Sequence, residues 1–172
     1  RFKWTRLYNG SEADCFHAAT LPGDGSLIRL RTASVGGALY RQRVTNPGPG
    51  SDFSQWTSWG VNAYAVAICA RNAEVLAFRI GLSDTDANLY RCESTDNGAS
   101  WGSWTNMGYI GPSSSAADYR VACCFKNNGD AIVLFSNGST LYRRRRIGGS
   151  WEAAAAWSNS LQSLTGIAVT HM

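Results

Sequence analysis

The chain has 172 residues and a net charge of +4, with 44% hydrophobic and only 16% charged residues, 18 Gly and 7 Trp. That composition belongs to a folded, turn-rich domain and excludes a disordered segment. No apolar run approaches the ~18 residues of a spanning helix, so no membrane insertion is expected, and the small charge excludes a specific nucleic-acid footprint.

Taken in chain order, the first element is a lone strand at about 2–8, around Trp4. A unit over about 14–60 follows, with the apolar runs "CFHAAT" and "SLIRLRT", the triplet Leu39-Tyr40-Arg41, and then Trp56 and Trp59. A second unit, about 63–108, reads as four short strands at 64–70, 75–80, 89–94 and 101–107. They are rich in aromatic and β-branched residues and bounded by Gly, Asn, Asp and Ser. The turns between them are "RNAE", "SDTDAN" and "TDNGAS". The third unit, about 117–160, repeats the order with "YRVACCF", "AIVLF", Leu141-Tyr142-Arg143, Trp151 and Trp157. A lone first strand at about 166–170 closes the chain. The four-alanine run in "EAAAAW" is too short for an independent helix.

The period is about 50 residues. The triplets at 39, 89 and 141 are 50 and 52 apart, and Trp4, Trp56, Trp104 and Trp157 are 52, 48 and 53 apart. Four antiparallel strands repeated at this spacing predict an all-β propeller. Small residues (Ala67, Ala122, Ala168) are expected on the crowded inner strand, and fourth-strand tryptophans as wedges between outer blade edges. Three blades do not close a ring. Either the chain is a segment of a longer protein, or further copies complete the ring.

"STDNGASW" (94–101) resembles the Asp-box of sialidase-like propellers, with Ser94, Asp96, Gly98 and Trp101 at its four fixed positions. That resemblance implies a folding element, in which the Asp caps its own turn and the Trp packs beneath it. Residues 130–172, and more loosely 75–125, resemble repeats of the bacterial fucose-binding propeller lectins. These pair a "VF…G…LY" hairpin with "GSW…W" and the next small-residue strand. The resemblance implies sugar pockets between adjacent blades, lined by aromatic and polar residues from both.

Aromatic faces stack on pyranose rings, and an Arg fork donates to hydroxyls or acids. The candidate sugar-binding residues are therefore Tyr40, Arg41, Trp56, Trp59, Tyr90, Arg91, Trp101, Trp104, Tyr142, Arg143, Trp151 and Trp157. The architectural reading of the same triplet has Leu facing one neighbouring blade, Tyr the other, and Arg reaching solvent. "RRRR" (143–146) alternates between two faces on a strand, so it forms no single anionic-ligand patch. "DTDAN" (84–88) opens like a calcium loop but has Leu89 where Gly is needed and Thr95 where the closing Glu belongs. The five cysteines (15, 69, 92, 123, 124) contain no CxxC pair and sit mostly in apolar runs, as small hydrophobes. No metal and no cofactor are expected. "FRIG" (78–81) is superficially similar to a sialidase signature, with Gly81 replacing its Pro and the motif on a second strand. With four Glu in the chain and no credible His-dependent site, catalysis is not favoured.

The reading is a non-catalytic, carbohydrate-binding propeller, secreted or surface-displayed by a bacterium or phage, with glycans as ligands. Its partners would be further copies of itself or further blades. The alternatives are a structural module of an extracellular filament or phage particle, and a fragment of a sialidase-like exo-glycosidase.

Overall fold

A computed structural model describes residues 17–112 and 118–159, together with 167 and 169. The lone strand expected at about 2–8 lies outside the described residues, as does the one at about 166–170 apart from those two positions.

Three antiparallel meanders follow one another. The first sheet holds β1 (His17–Thr20), β2 (Leu27–Thr32), β3 (Gly37–Val44) and β4 (Thr57–Ala63). The second holds β5 (Ala65–Arg71), β6 (Glu74–Ser83), β7 (Asp86–Ser94) and β8 (Thr105–Pro112). The third holds β9 (Arg120–Phe125), β10 (Ala131–Ser136) and β11 (Thr140–Ile147). Its fourth position is split into β12 (Ser150–Trp151) and β13 (Ala155–Asn159), both paired with β11. No α-helix occurs among the described residues, and the last two of the four alanines begin β13.

The sheets stack face to face like blades, with inner strand β5 packed between β1 and β9. Position in this stack explains the sequence patterns. The middle sheet is covered on both faces, so residues 65–69 of β5 and 75–81 of β6 are buried on both sides, with Arg79 the one charged residue in those runs. In β2, Ile28, Leu30 and Thr32 are buried against the second sheet, while Arg29 and Arg31 alternate onto the outward face. Alternation also divides the second sheet's core. Val66, Ile68, Val75 and Ala77 pack toward the first sheet; Ala67, Cys69, Leu76 and Phe78 pack toward the third.

Register explains the repeated triplet. In every sheet the third–fourth strand ladder shifts at the step into its tyrosine: between Ala38 and Tyr40, Leu89 and Tyr90, and Leu141 and Tyr142. The extra residues bulge from the opposing strand at 59–61, 107 and 157. Trp157 therefore stands where Trp59 and Met107 stand. It does not correspond to Trp56 and Trp104, as its sequence spacing implied: those precede Thr57 and Thr105, the partners of Arg41 and Arg91, whereas the residue that precedes Ala155, the partner of Arg143, is Ala154. The second sheet's fourth strand also begins later than the 101–107 expected. Trp101 is held in the preceding turn by donating its Nε1–H to Gly98 O (3.0 Å), and Gly102 N donates to Glu93 O (2.9 Å).

Candidate functional site

Between the first two sheets lies a cleft of about 410 Å³. The first sheet lines it with Gly36, Gly60, Val61 and Asn62, and the second with Tyr64, Arg79 and Leu82. Its size falls in the range of small-ligand sites. Two glycines keep it open. Gly36 has φ +70°, and a Cβ there would lie 2.5 Å from the Tyr64 ring; a Cβ on Gly81 would lie 1.8 Å from Arg79 Nη1. The sequence difference at Gly81 is thus the space that the guanidinium occupies.

Arg79 comes from the middle of β6, opposite Tyr90 in the ladder. Its guanidinium carbon is 3.9 Å from the centroid of the Tyr90 ring and 5.2 Å from that of Trp104. Nη1 donates to Asn62 O (2.8 Å), across the cleft in the first sheet. Nε is buried with no hydrogen-bond partner. Burial pushes the guanidinium below its usual pKa, with Tyr90 acting the other way.

The same seam gathers five of the predicted site residues: Arg41, Trp59, Tyr90, Trp101 and Trp104. Trp59 meets the ring of Trp101 edge-on at 4.8 Å and that of Trp104 at 4.9 Å, and Arg41 lies over Trp59 at 5.0 Å. At the second seam Arg91 lies over Trp151 (5.5 Å) and pairs with Glu93 (3.1 Å). Both Arg41 and Arg91 rest on tryptophans within the stack, so the triplet arginine does not simply reach solvent. Tyr142 stacks on Phe135. The remaining candidates are not brought into either seam. Tyr40 and Trp56 lie with Arg31 on the outward side of the first sheet, at 5.3 and 4.7 Å from its guanidinium. On the third sheet's outward side are Arg143, paired with Leu134, and Trp157, which is 55% exposed.

Ladder positions reveal a repeat hidden in the sequence. Arg31 pairs with Tyr40, Arg79 with Tyr90, and Phe135 with Tyr142. Two blades therefore carry an Arg–Tyr–Trp set (Arg31, Tyr40, Trp56; Arg79, Tyr90, Trp104), and the third replaces the arginine with Phe135. Arg31, Arg79, Gly36 and Gly81 were not among the predicted site residues.

The turn over 94–101 buttresses this seam. Asp96 accepts from Ser100 N (2.9 and 3.0 Å), Ser100 Oγ (2.5 Å) and Ser94 Oγ (2.7 Å), which holds its carboxyl down at about 2. Gly98, at φ +74°, lies so close to the first sheet that a Cβ would sit 2.2 Å from Ile28 Cδ1. In "RRRR", Arg144 bonds Met107 O and Glu152 O, and Arg146 pairs with Glu74. Arg145 forms a two-point pair with Glu152 (2.7 and 2.9 Å). Three of the four are therefore tied by hydrogen bonds. Among the described residues no cluster of His, Cys, Asp and Glu could hold a metal ion. Burial pushes the Cys92 thiol up to about 11, and burial beside Cys69 raises Cys123 well above the usual thiol value.

No protein-family model and no curated protein matches the sequence. Solved structures do match the fold. The NanB sialidase of Streptococcus pneumoniae superposes with a TM-score of 0.57 at 14% identity, over 83% of this chain and 23% of the sialidase. The fucose-specific lectin of Aleuria aurantia superposes at 0.51 with 13% identity, over 92% of this chain and 51% of the lectin. A second structure of that lectin, in complex with alpha-methyl-L-fucoside, gives 0.51 at 12% identity. The chain thus spans about a quarter of the sialidase and about half of the lectin. At these identities the likeness establishes the fold, a β-propeller built of four-stranded blades.

Proposed function

We propose that this chain is a non-catalytic, carbohydrate-binding part of a β-propeller, secreted or surface-displayed, with a sugar site in the cleft between its first two blades. The observation that carries the reading is Arg79: a guanidinium at the wall of an inter-blade cleft, framed by Tyr90 and Trp104 and donating only once to protein among the described residues. A sugar needs a ring for its apolar face and a fork for its polar edges, and the cleft is lined by the Tyr64 ring beside the Arg79 fork. A fucose lectin among the structural neighbours supports the same class of ligand. The equivalent set Arg31, Tyr40 and Trp56 becomes a second site where a further blade, from this chain or from another copy, covers the outward face of the first sheet.

The test is a glycan array with the intact protein, followed by titration of the hits against tryptophan fluorescence. Binding that is lost in Arg79→Met, with the melting temperature retained, supports the reading. Turnover of a fluorogenic sialoside would replace it with a glycosidase. A second reading, an assembly module, draws on the exposed Trp157 at a bulge position whose equivalent Trp59 is packed against the next blade. It predicts self-association without glycan binding.

A further inference from the structure

We infer that the cleft selects an anionic sugar, one bearing a carboxylate or sulfate, with Arg79 as the group that recognises the charge; this rests on the sugar-binding reading above. The argument starts from how the chain treats its other buried arginine. Arg79 and Arg146 are each only 8% exposed. Arg146 pairs with Glu74, and its Nη2 also donates to Gly129 O (3.0 Å). Arg79 has no carboxylate at ion-pair distance among the described residues, and its one hydrogen bond goes to a neutral carbonyl. A buried cation left this way is unfavourable. The rings of Tyr90 and Trp104 offset only part of that cost.

Three further facts direct the missing anion to the cleft. Arg79 is the only ionised residue among the described residues lining it, and none of these is an acid that competes for the guanidinium. Gly81 leaves room for the guanidinium head to lie at the wall. The position facing Arg79 across the ladder is Tyr90, which offers a ring where a carboxylate would have closed an internal ion pair. In the third blade, Phe135 replaces the arginine and no such charge is present. Of the two most buried arginines, the one without a carboxylate partner among the described residues is thus the one that a cleft reaches. A planar carboxylate is the better geometric match to an arginine fork; a sulfate shares the charge without the plane.

The experiment compares matched ligands on the intact protein by calorimetric titration: methyl glucuronide and the methyl glycoside of N-acetylneuraminic acid, each against its own methyl ester, and glucose 6-sulfate against glucose. Each acid should bind at least about tenfold more tightly than its ester, and the difference should vanish in Arg79→Met. Arg79→Lys should retain part of the preference, the sulfate arm more than the carboxylate arm. Because the wild-type comparison needs no variant, a poorly folded mutant does not blunt it. Equal affinity for acid and ester, with binding still lost in Arg79→Met, would overturn the anionic selectivity and leave the sugar site standing. Absence of binding to any of these ligands and to the array would overturn both.

Discussion

The two seams between blades share one frame and differ at one ladder position. At the first seam that position is Arg79, Tyr64 lines an open cleft, and the aromatic residues surround a charge. At the second it is Phe135, stacked on Tyr142 with centroids 5.4 Å apart and planes at 14°. Tyr119, the counterpart of Tyr64 in register, is fully buried there and donates its hydroxyl proton to Pro112 O (2.9 Å). One seam keeps an open cleft and the other is packed core. In a stack of near-identical blades, such a departure from the repeat marks the candidate site more sharply than the repeat itself does.

The comparison predicts unequal costs of mutation. Phe135→Ala should lose about 3–5 kcal/mol of stability, because it opens a cavity in a fully packed seam. Denaturant unfolding measures this, and a loss under about 1 kcal/mol would mean that the second seam is as open as the first. Gly36→Ala should cost about 1–2 kcal/mol from its left-handed backbone. It should also push Tyr64 into the cleft and weaken glycan binding, which the same melts and a titration will read. Arg79→Met should change stability by less than about 1 kcal/mol in either direction, since removal of an uncompensated buried charge offsets the lost packing. It should nevertheless abolish binding.

The smallest effect expected is on acid stability. Asp96 has its pKa lowered to about 2 by the bonds from Ser100 and Ser94. A carboxylate with a depressed folded-state value contributes stability that is complete above its unfolded value near 4 and is lost as pH falls through about 2. The wild type should therefore lose an increment of stability between about pH 4 and 2 that Asp96→Asn does not lose, visible as converging melting temperatures.

The repeat was legible because each blade must present the same residues to its neighbours: small residues on the inner strand, leucine and tyrosine across a bulge, tryptophan at the outer edge. Turn chemistry at Asp96 and Gly98 was equally plain. Arg79 was harder to read as part of a site because "VLAFRIG" reads as core, and it is core on every side but one. Its partnership with Tyr90 has no constant spacing either: the pairs Arg31–Tyr40, Arg79–Tyr90 and Phe135–Tyr142 are separated by different hairpin lengths. Only strand pairing aligns them. Trp157 was misaligned for the converse reason: its distance from Trp104 imitates the period, but the turn before the fourth strand is shorter in the third blade, so Trp157 falls within that strand instead of just before it.

The most direct test of the central claim is a crystal structure of the protein soaked with the tightest-binding glycan from the array. The account predicts the sugar in the cleft between the first two blades, with an oxygen within hydrogen-bond distance of the Arg79 guanidinium and Tyr64 and Asn62 at its edge. A glycan bound only at the second seam or on an outer face, with the Arg79 cleft empty, would contradict it.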